Sequence, residues 1–536
     1  MGTVWPDVRL SDSGDEAPTS PQRSHLIGGH DSKSYLAICS ESAVNWLKAR
    51  VSSADEQSVT DIVTRLSRHA DYKSTFMCPP KLKQFPEPDM QMAWKYCQEY
   101  FDNRVETLFG AIDRRQFEAR LRAHLQDGDN SDSDPSWYAL RNTIYATGTR
   151  LLLTRTGCDA KTIHESAMQY FLNALSVHTQ VLFARQVDLT GVQALTIMSF
   201  FAENLLGSSI ESMLCSNAIR VAQGLRLNYE PVSNERLSPS DRFVGNRIWW
   251  ALYCYDKHIS LRDGRQSCID DDDISCALPE RQASENPNKF EIFMQMIKSA
   301  QIQSLIYKKL FSAAGRRQNT IQERAAVEQL DQALSEWRDS LPLHLRPGAP
   351  IKKSSLPAGV HIDPVVYMHY TYYGTVIAMY NKFPWTARGS SLDNAAFGRE
   401  KAVSAARSVV LATRYIDTDM NTTGCLLFSY PMTALIVLFV HILQNPLAPS
   451  AHSDVVLMDM ATGHFAQLEF ATSMQLEVQF VRDMAHIARR AVEQIRRDAW
   501  IDVTPFEAPE PAIFSPTMTG PNLNFMDFLT DDVYAV

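Results

Sequence analysis

The four consecutive carboxylates Asp270 to Asp273 are one group of residues with the type and spacing for chemistry, because carboxylates are the ligands that hard cations prefer. A calcium loop, however, spreads its ligands over alternate positions, with a central glycine and a distal glutamate. The run keeps no such spacing. We therefore expect these acids to be solvated, to cap a helix or to pair with arginine.

A second candidate group is Asp483 with His486, at the separation that places two ligands on one helical face in di-iron proteins. Those proteins use glutamate and repeat the pair, whereas this sequence has it once. The sequence contains no phosphate-binding loop, dinucleotide-binding turn, nucleophile elbow or His-Glu-x-x-His motif. It therefore predicts no catalytic residue and no enzyme. The alternative is an enzyme on a helical scaffold that depends on Asp256 or His486.

Cysteines are the third group, and their spacing does not fit a zinc site. The nine are Cys39, Cys78, Cys97, Cys158, Cys215, Cys254, Cys268, Cys276 and Cys425. A binuclear zinc cluster needs six thiolates in two closely spaced triplets, and no pair here has the two-residue gap of a zinc knuckle. The sequence predicts no metal site and no cofactor in this chain, with zinc only in a cluster upstream of Met1. The odd, irregular set indicates a reducing compartment.

The composition limits the classes of partner. Hydrophobic residues make up 45% and charged residues 21% of the 536 residues, which is typical of a globular protein with a sizeable core. The formal net charge of −9 is the opposite of the basic surface that binds phosphates. Taken alone, the chain is expected to bind DNA poorly.

The elements that position these residues centre on the stretch from Ser238 to Pro279. Ser238 is a predicted N-cap, Pro239 occupies the first helical position, Asp241 follows the cap by three residues, and Gly264 ends the helix. The apolar stripe at spacings of three and four is Val244, Ile248, Leu252, Tyr255 and Ile259, widened by Trp249 and Tyr253. The aromatic residues are interpreted as core. The polar residues expected at the edges of the stripe are Asn246, Arg247, Asp256 and Lys257.

This stretch resembles the signature of the fungal-specific transcription factor domain, the middle homology region of zinc-cluster regulators. The matching residues are Arg247, Trp249, Trp250, Leu252, Tyr253, Asp256, Ser260, Gly264, Arg265, Ile269, Asp271, Asp273, Ile274, Leu278 and Pro279. The sequence departs from the family at Lys257 and Gln266. It also has Arg226 where the family has a helix-capping glycine. Arg265 is expected to pair with Asp256 or Asp273.

The resemblance implies an all-α fold, a large multi-helix, bundle-like regulatory domain with disordered N- and C-terminal tails. We expect a linker over residues 1–35, the regulatory domain over 36–505 with its signature at 190–280, and an acidic, proline-rich tail over 506–536. The tail alternates apolar and acidic residues and is a candidate activation segment. The residues expected to carry activation are Phe525, Phe528, Leu529, Asp531 and Asp532.

The resemblance also implies a transcription regulator of the zinc-cluster type in the nucleus, without the DNA-binding head in this chain. Its expected partners are transcription-machinery or co-regulator proteins, a second copy of the chain and a small-molecule effector, with DNA contacted only indirectly. Alternatives are a metabolite-sensing module and a truncated form of a complete DNA-binding activator. Cys425 to Leu443 is nearly long enough to cross a bilayer, but Ser429, Pro431 and His441 favour a buried helix and no membrane.

Overall fold

The computed structural model describes residues 35–74, 84–127, 134–185, 188–203, 205, 208–230, 237–283, 285–381, 398–419, 421–472 and 478–501. Over these ranges the chain forms helices and connecting loops, and no strand. The predicted all-α class is confirmed. The predicted N-terminal linker, apart from Tyr35, and the predicted acidic tail lie outside the described residues.

The helices of the first half include a long helix, α5, against which several of the others pack. In chain order they are α1 (Glu41–Lys48), α2 (Glu56–Ser74), α3 (Met90–Asn103), α4 (Arg114–Asp127), α5 (Pro135–Arg155), α6 (Ala160–Ser176), α7 (His178–Leu182), α8 (Leu189–Glu203), α9 (Ser208–Gly224) and α10 (Pro239–Asp263). Helix α5 packs against α3, α6 and α8, and α8 packs along α9. Asp134 caps α5 by accepting from the backbone N–H of Ser136.

The helices of the second half pack mostly on their neighbours in the chain. They are α11 (Pro287–Ile306), α12 (Thr320–Ser340), α13 (Ile362–Tyr380), α14 (Arg399–Ala412), α15 (Tyr430–Gln444), α16 (Ala451–Ala471) and α17 (Gln479–Ile501). Helix α14 lies against α13 and α15, and α16 lies against α17. Helix α17 also contacts α2, so the two ends of the described chain pack together.

Helix α10 connects the two halves, because it packs against α8 and α9 on one side and against α11 and α13 on another. Its predicted ends are confirmed. The Ser238 side chain accepts from the backbone N–H of Asp241, and Gly264 ends the helix with φ of 68°. This left-handed conformation favours glycine, which has no Cβ to clash with the backbone.

The expected position of three polar residues on α10 was wrong. Arg247, Asp256 and Lys257 were expected at the edges of the apolar stripe, yet they are only 2%, 5% and 3% exposed. Neighbouring helices and the loop after Gly264 surround α10 on most sides. Residues distant in sequence supply the hydrogen bonds that these buried polar groups require.

Helix α9 ends with an arginine in the position that glycine usually takes. Arg226 has φ of 60°, and the Leu227 N–H donates to the Ala222 carbonyl at 3.1 Å, as in a Schellman cap. Helix α9 is therefore followed by a Schellman cap without a glycine. A residue with a Cβ is strained in this conformation.

The apolar segment Cys425–Gln444 is the one helix of the described residues long and apolar enough to cross a membrane, and 83% of an 18-residue stretch within it is buried inside the fold. It begins with a π-helical turn, Cys425–Ser429, which continues into α15. Helices α14 and α16 cover it. Its burial is that of a core helix.

Candidate functional site

The Arg247 side chain uses all five of its N–H donors inside the protein. Nε donates to the Phe109 carbonyl at 2.7 Å, and Nη2 donates to the Leu108 carbonyl at 3.3 Å. Nη1 donates to the Glu280 carbonyl at 3.2 Å, and both terminal nitrogens bind the Glu285 carboxylate at 3.0 and 2.6 Å. We call these residues the Arg247 clamp. A guanidinium with every donor paired is a structural link, with no donor left for a ligand.

Gly110 lets the backbone approach this clamp closely. Its φ is 61°, and a Cβ built at this position would lie 2.6 Å from Nε of Arg247. The Arg247 guanidinium also lies 5.4 Å from the ring centroid of Phe293, within the range of a cation–π contact. The segment before α4 therefore binds to the first half of α10.

The aromatic residues of the signature hold the loop of residues 265–279, which we call the signature loop. Trp250 Nε1 donates to the Ala277 carbonyl at 2.8 Å, and the Tyr253 hydroxyl donates to Asp271 at 2.8 Å. Trp249 is fully buried in the core, and Pro279 at the end of the loop is buried. These contacts agree with the interpretation of the aromatic residues as core.

Asp256 and Lys257 fasten the start of the same loop. Asp256 accepts from the Ser267 hydroxyl and, at 3.0 Å, from the Cys268 N–H, while Lys257 Nζ donates to the Ile269 carbonyl at 2.6 Å. Burial raises the pKa of the Asp256 carboxyl, and these hydrogen bonds oppose the increase. The signature loop is thus pinned to α10 by buried polar contacts.

The expected pairing of Arg265 with Asp256 or Asp273 was wrong. Arg265 is exposed, and its Nη1 donates to the Ser212 hydroxyl at 2.9 Å. Asp256 is instead occupied by the loop contacts, and the Asp273 carbonyl accepts from the Asn228 amide at 2.8 Å. Arg265 therefore ties the signature loop to α9.

The acidic run pairs with lysine and hydroxyl groups. Asp270 caps a short turn by accepting from the backbone N–H of Asp272 at 3.2 Å, and Asp272 forms an ion pair with Lys308 at 2.8 Å. Asp271 accepts from the hydroxyl groups of Tyr253 and Ser304. Capping and pairing with arginine were among the roles expected for these acids. The cap is present at Asp270, but the cation that pairs with Asp272 is a lysine and not an arginine.

Asp483 and His486 both lie on α17, but they do not form a site together. Asp483 accepts from Gln479 at 3.0 Å, one turn away, and His486 is exposed. Of the nine cysteines, Cys78 lies outside the described residues, and the other eight are free thiols.

One cluster of metal-ligating side chains was missed by sequence reasoning. Glu203 at the end of α8, His258 on α10 and Cys425 in the π-helical turn place one potential ligand atom each within 4.8 Å of one another. All three residues are buried. We call them the polar cluster. They come from three distant parts of the chain, so no motif or spacing could indicate them.

The polar cluster is incompletely hydrogen-bonded. Nδ1 of His258 lies 3.3 Å from the Tyr430 hydroxyl, but its Nε2 has no hydrogen-bond partner among the described residues. Burial, together with the charge of Arg262, lowers the pKa of His258 well below 6.5, so the imidazole is neutral. Burial raises the pKa of the Cys425 thiol. Unpaired buried polar atoms are rare in folded proteins and require an explanation.

An apolar cavity of about 70 Å³ borders the polar cluster, with Glu203 in its wall. Its apolar walls are formed by Phe109, Phe200, Met296, Tyr367 and Leu426, and Arg104 and Asp363 add charged groups. Burial raises the pKa of Asp363, and the nearby Asp419 and Asp417 raise it further. Arg104 is paired with Glu106 at 2.5 Å. The cavity therefore presents mainly apolar surface.

Residues 97–339 match the fungal specific transcription factor domain. The match contains α10, the Arg247 clamp, the signature loop, and Glu203 and His258 of the polar cluster. The chain carries this domain, which is characteristic of a class of fungal transcription regulators, as its signature predicted. Members of this class are typically not enzymes.

Curated relatives agree with this class. An ABC-transporter-regulating transcription factor of Aspergillus fumigatus is 29% identical over 446 residues, which cover 77% of this chain and 48% of the relative. A protein of the same name from Aspergillus oryzae is 30% identical over 411 residues, which cover 72% of this chain and 44% of the relative. The Fusaridione A cluster transcription factor of Fusarium heterosporum is 23% identical over 339 residues, which cover 60% of this chain and 62% of the relative. The chain spans about half the length of the first two relatives.

Proposed function

We propose that this chain is the regulatory and activating part of a zinc-cluster type transcription factor and acts in the nucleus through protein partners. The observation that carries the proposal is the domain match over residues 97–339. The net charge of −9 supports contacts with proteins over contacts with DNA phosphates. Its proposed partners are co-regulators or the transcription machinery, and a second copy of the chain. DNA contact then comes from a zinc-cluster head of the whole protein or from a partner.

A tethering experiment tests this proposal. The chain is fused to an unrelated DNA-binding domain and brought to a reporter promoter in a fungal cell, with the DNA-binding domain alone as the control. We expect reporter transcription to change at equal protein level, and a fluorescent fusion of the chain to accumulate in the nucleus. An unchanged reporter together with a cytoplasmic fusion would refute the proposal.

The acidic tail is proposed to supply activation, and its residues can be tested separately. Replacing Phe525, Phe528 and Leu529 with alanine removes the apolar groups that a partner's groove would bind. We expect reporter output to fall several-fold. The matched control replaces the polar residues Asn522 and Asn524 of the same tail and should keep the output. Equal output from both variants would assign activation to another part of the chain.

The names of two relatives suggest which genes are controlled. Both Aspergillus proteins are named as ABC-transporter-regulating transcription factors. We carry this target class to the present chain as part of the proposal. Deletion of its gene is expected to lower transcripts for ABC transporters, and complementation should restore them. Unchanged transporter transcripts in the deletion strain would remove this target class.

A second candidate function is sensing of a small apolar molecule, which the cavity beside Glu203 favours. Its apolar walls suit a compact hydrophobic ligand. Benzene and n-butanol serve as probes in a thermal-unfolding series, and both should raise the melting temperature of the wild-type chain. Leu426→Phe fills the cavity and should abolish the increase, whereas the exposed control Leu411→Phe should keep it. Equal shifts in both variants would exclude this cavity as the binding site.

A further inference from the structure

The polar cluster has the donor set of a zinc site. Imidazole nitrogen, thiolate sulfur and carboxylate oxygen are the three ligand types that proteins use for Zn²⁺. A site with one thiolate and one imidazole also selects zinc over Ca²⁺ and Mg²⁺, which take oxygen ligands. Glu203 is 8% exposed, His258 is 3% exposed and Cys425 is 1% exposed. A site at this position is therefore enclosed by the protein core.

The hydrogen bonds of His258 leave one nitrogen for a metal. Nδ1 can donate to the Tyr430 oxygen 3.3 Å away, and this tautomer leaves the lone pair of Nε2 free. Nε2 is buried, and no described residue forms a hydrogen bond with it. Histidine ligands of metals usually donate their second N–H to an oxygen in this way, which fixes the orientation of the ring. The Tyr430 hydroxyl is placed for that role.

The other two ligands lie where helices begin or end. Cys425 begins a π-helical turn, a feature frequently found at functional sites, and lies at the start of the apolar helix segment. The Glu203 carboxylate has two neighbours. The Tyr255 hydroxyl donates to its Oε2 at 3.4 Å, and the Arg262 guanidinium lies 4.0 Å from its Oε1. Arg262 is itself paired with Glu211 and Asp263, both at 2.9 Å.

We propose that Glu203, His258 and Cys425 bind one Zn²⁺ ion that links α8 and α10 to the start of the apolar helix segment. Zn²⁺ displaces the proton of the Cys425 thiol, which passes to solvent, and the Zn–S bond forms. One thiolate, one carboxylate and one neutral imidazole balance the two positive charges, so the complex is electrically neutral in the core. A tetrahedral Zn²⁺ ion has four ligands, so a water molecule takes the fourth position beside the three side chains. Ligands in such a site lie about 3.4 Å apart, so the side chains close by roughly 1 Å on binding.

The metal content of the purified full chain tests this proposal. After treatment with a chelator, the chain is titrated with ZnCl2 against a chromophoric chelator, and metal is counted by mass spectrometry. We expect one zinc per chain, and affinity at least tenfold lower in His258→Gln, Cys425→Ser and Glu203→Gln. The matched controls His369→Gln and Cys254→Ser replace a buried histidine and a buried cysteine outside the cluster and should keep one zinc.

A spectroscopic readout keeps the test independent of variant stability. Co²⁺ added to the metal-free wild-type chain should give a thiolate-to-cobalt charge-transfer band, which Cys254→Ser keeps and Cys425→Ser loses. Circular dichroism establishes that each variant keeps its helix content. A wild-type chain without zinc binding and without the cobalt band would overturn the proposal. Unchanged affinity in folded His258→Gln or Cys425→Ser would also overturn it.

Discussion

Arg247 and His258 are both buried on α10, about three turns apart. They differ in how completely their polar groups are hydrogen-bonded. Arg247 uses every donor on backbone carbonyls and on Glu285, whereas His258, which clusters with Glu203 and Cys425, has one nitrogen without a hydrogen-bond partner in the part of the chain that the structure describes. A completed set of hydrogen bonds stabilises the fold and has no capacity for a ligand. The incomplete set is where binding can occur, so the first half of α10 is structural and the second half carries the candidate site.

The largest expected effect comes from removing the structural link. Arg247→Ala leaves the Glu285 carboxylate and several carbonyls without their donor, and we expect the free energy of unfolding to fall by about 3–5 kcal/mol. Arg247→Lys keeps the charge but loses the planar fork, so its loss should be intermediate. Urea denaturation measures both.

Arg265→Ala is the matched control for this prediction. Arg265 is exposed and makes one hydrogen bond, to Ser212, so its replacement should lower the free energy of unfolding by less than about 1 kcal/mol. Equal losses for Arg247→Ala and Arg265→Ala would contradict the structural role of the clamp.

His369 extends the comparison to a histidine buried outside the polar cluster. Burial lowers its pKa from 6.5 to about 4. The pKa of His369 is lower in the folded state than in the unfolded state. The stabilisation contributed by the buried neutral imidazole is therefore complete above pH 6.5 and is lost as the pH falls toward 4. The loss amounts to about 3 kcal/mol. His369→Gln should flatten the dependence of the unfolding free energy on pH in this window, whereas the exposed control His486→Gln should follow the wild-type curve.

Gly110 tests the close approach of backbone to the clamp. Gly110→Ala places a Cβ against Nε of Arg247 and also strains a φ of 61°, so we expect a loss of about 2–3 kcal/mol. Gly157→Ala is the matched control, because Gly157 has φ of 77° with open space around it. Its cost should be about 1 kcal/mol, from backbone strain alone. A Gly110→Ala loss no larger than the control would mean that the Arg247 side chain moves away freely.

Arg226→Gly has the smallest expected effect, and it is stabilising. It removes the Cβ from a left-handed residue and should raise the free energy of unfolding by about 0.5–1 kcal/mol. Arg226→Ala also loses the contact of the guanidinium with the Tyr229 ring but keeps the Cβ, so it should show no gain. Thermal unfolding distinguishes the two variants, and a gain in both would refute strain at Arg226.

Local features of the fold could be predicted from the sequence, and long-range pairing could not. The Ser238 cap and the Gly264 end of α10 depend on residues within one turn, so their signals are local. The burial of Arg247 depends on carbonyls at residues 108, 109 and 280, which no periodicity indicates. The polar cluster is even less accessible to sequence reasoning, because His258 is one of several polar residues on α10 and its two partners come from distant parts of the chain.

Thermal unfolding of metal-free wild type, Arg247→Lys and His258→Gln, with and without equimolar zinc, tests the difference between the two halves of α10 most directly. We expect a lower starting melting temperature for Arg247→Lys, with a zinc-induced increase like that of wild type. For His258→Gln we expect a starting temperature near wild type and no increase. A zinc-induced increase that is absent in Arg247→Lys or kept in His258→Gln would contradict the division of α10 into a structural half and a binding half.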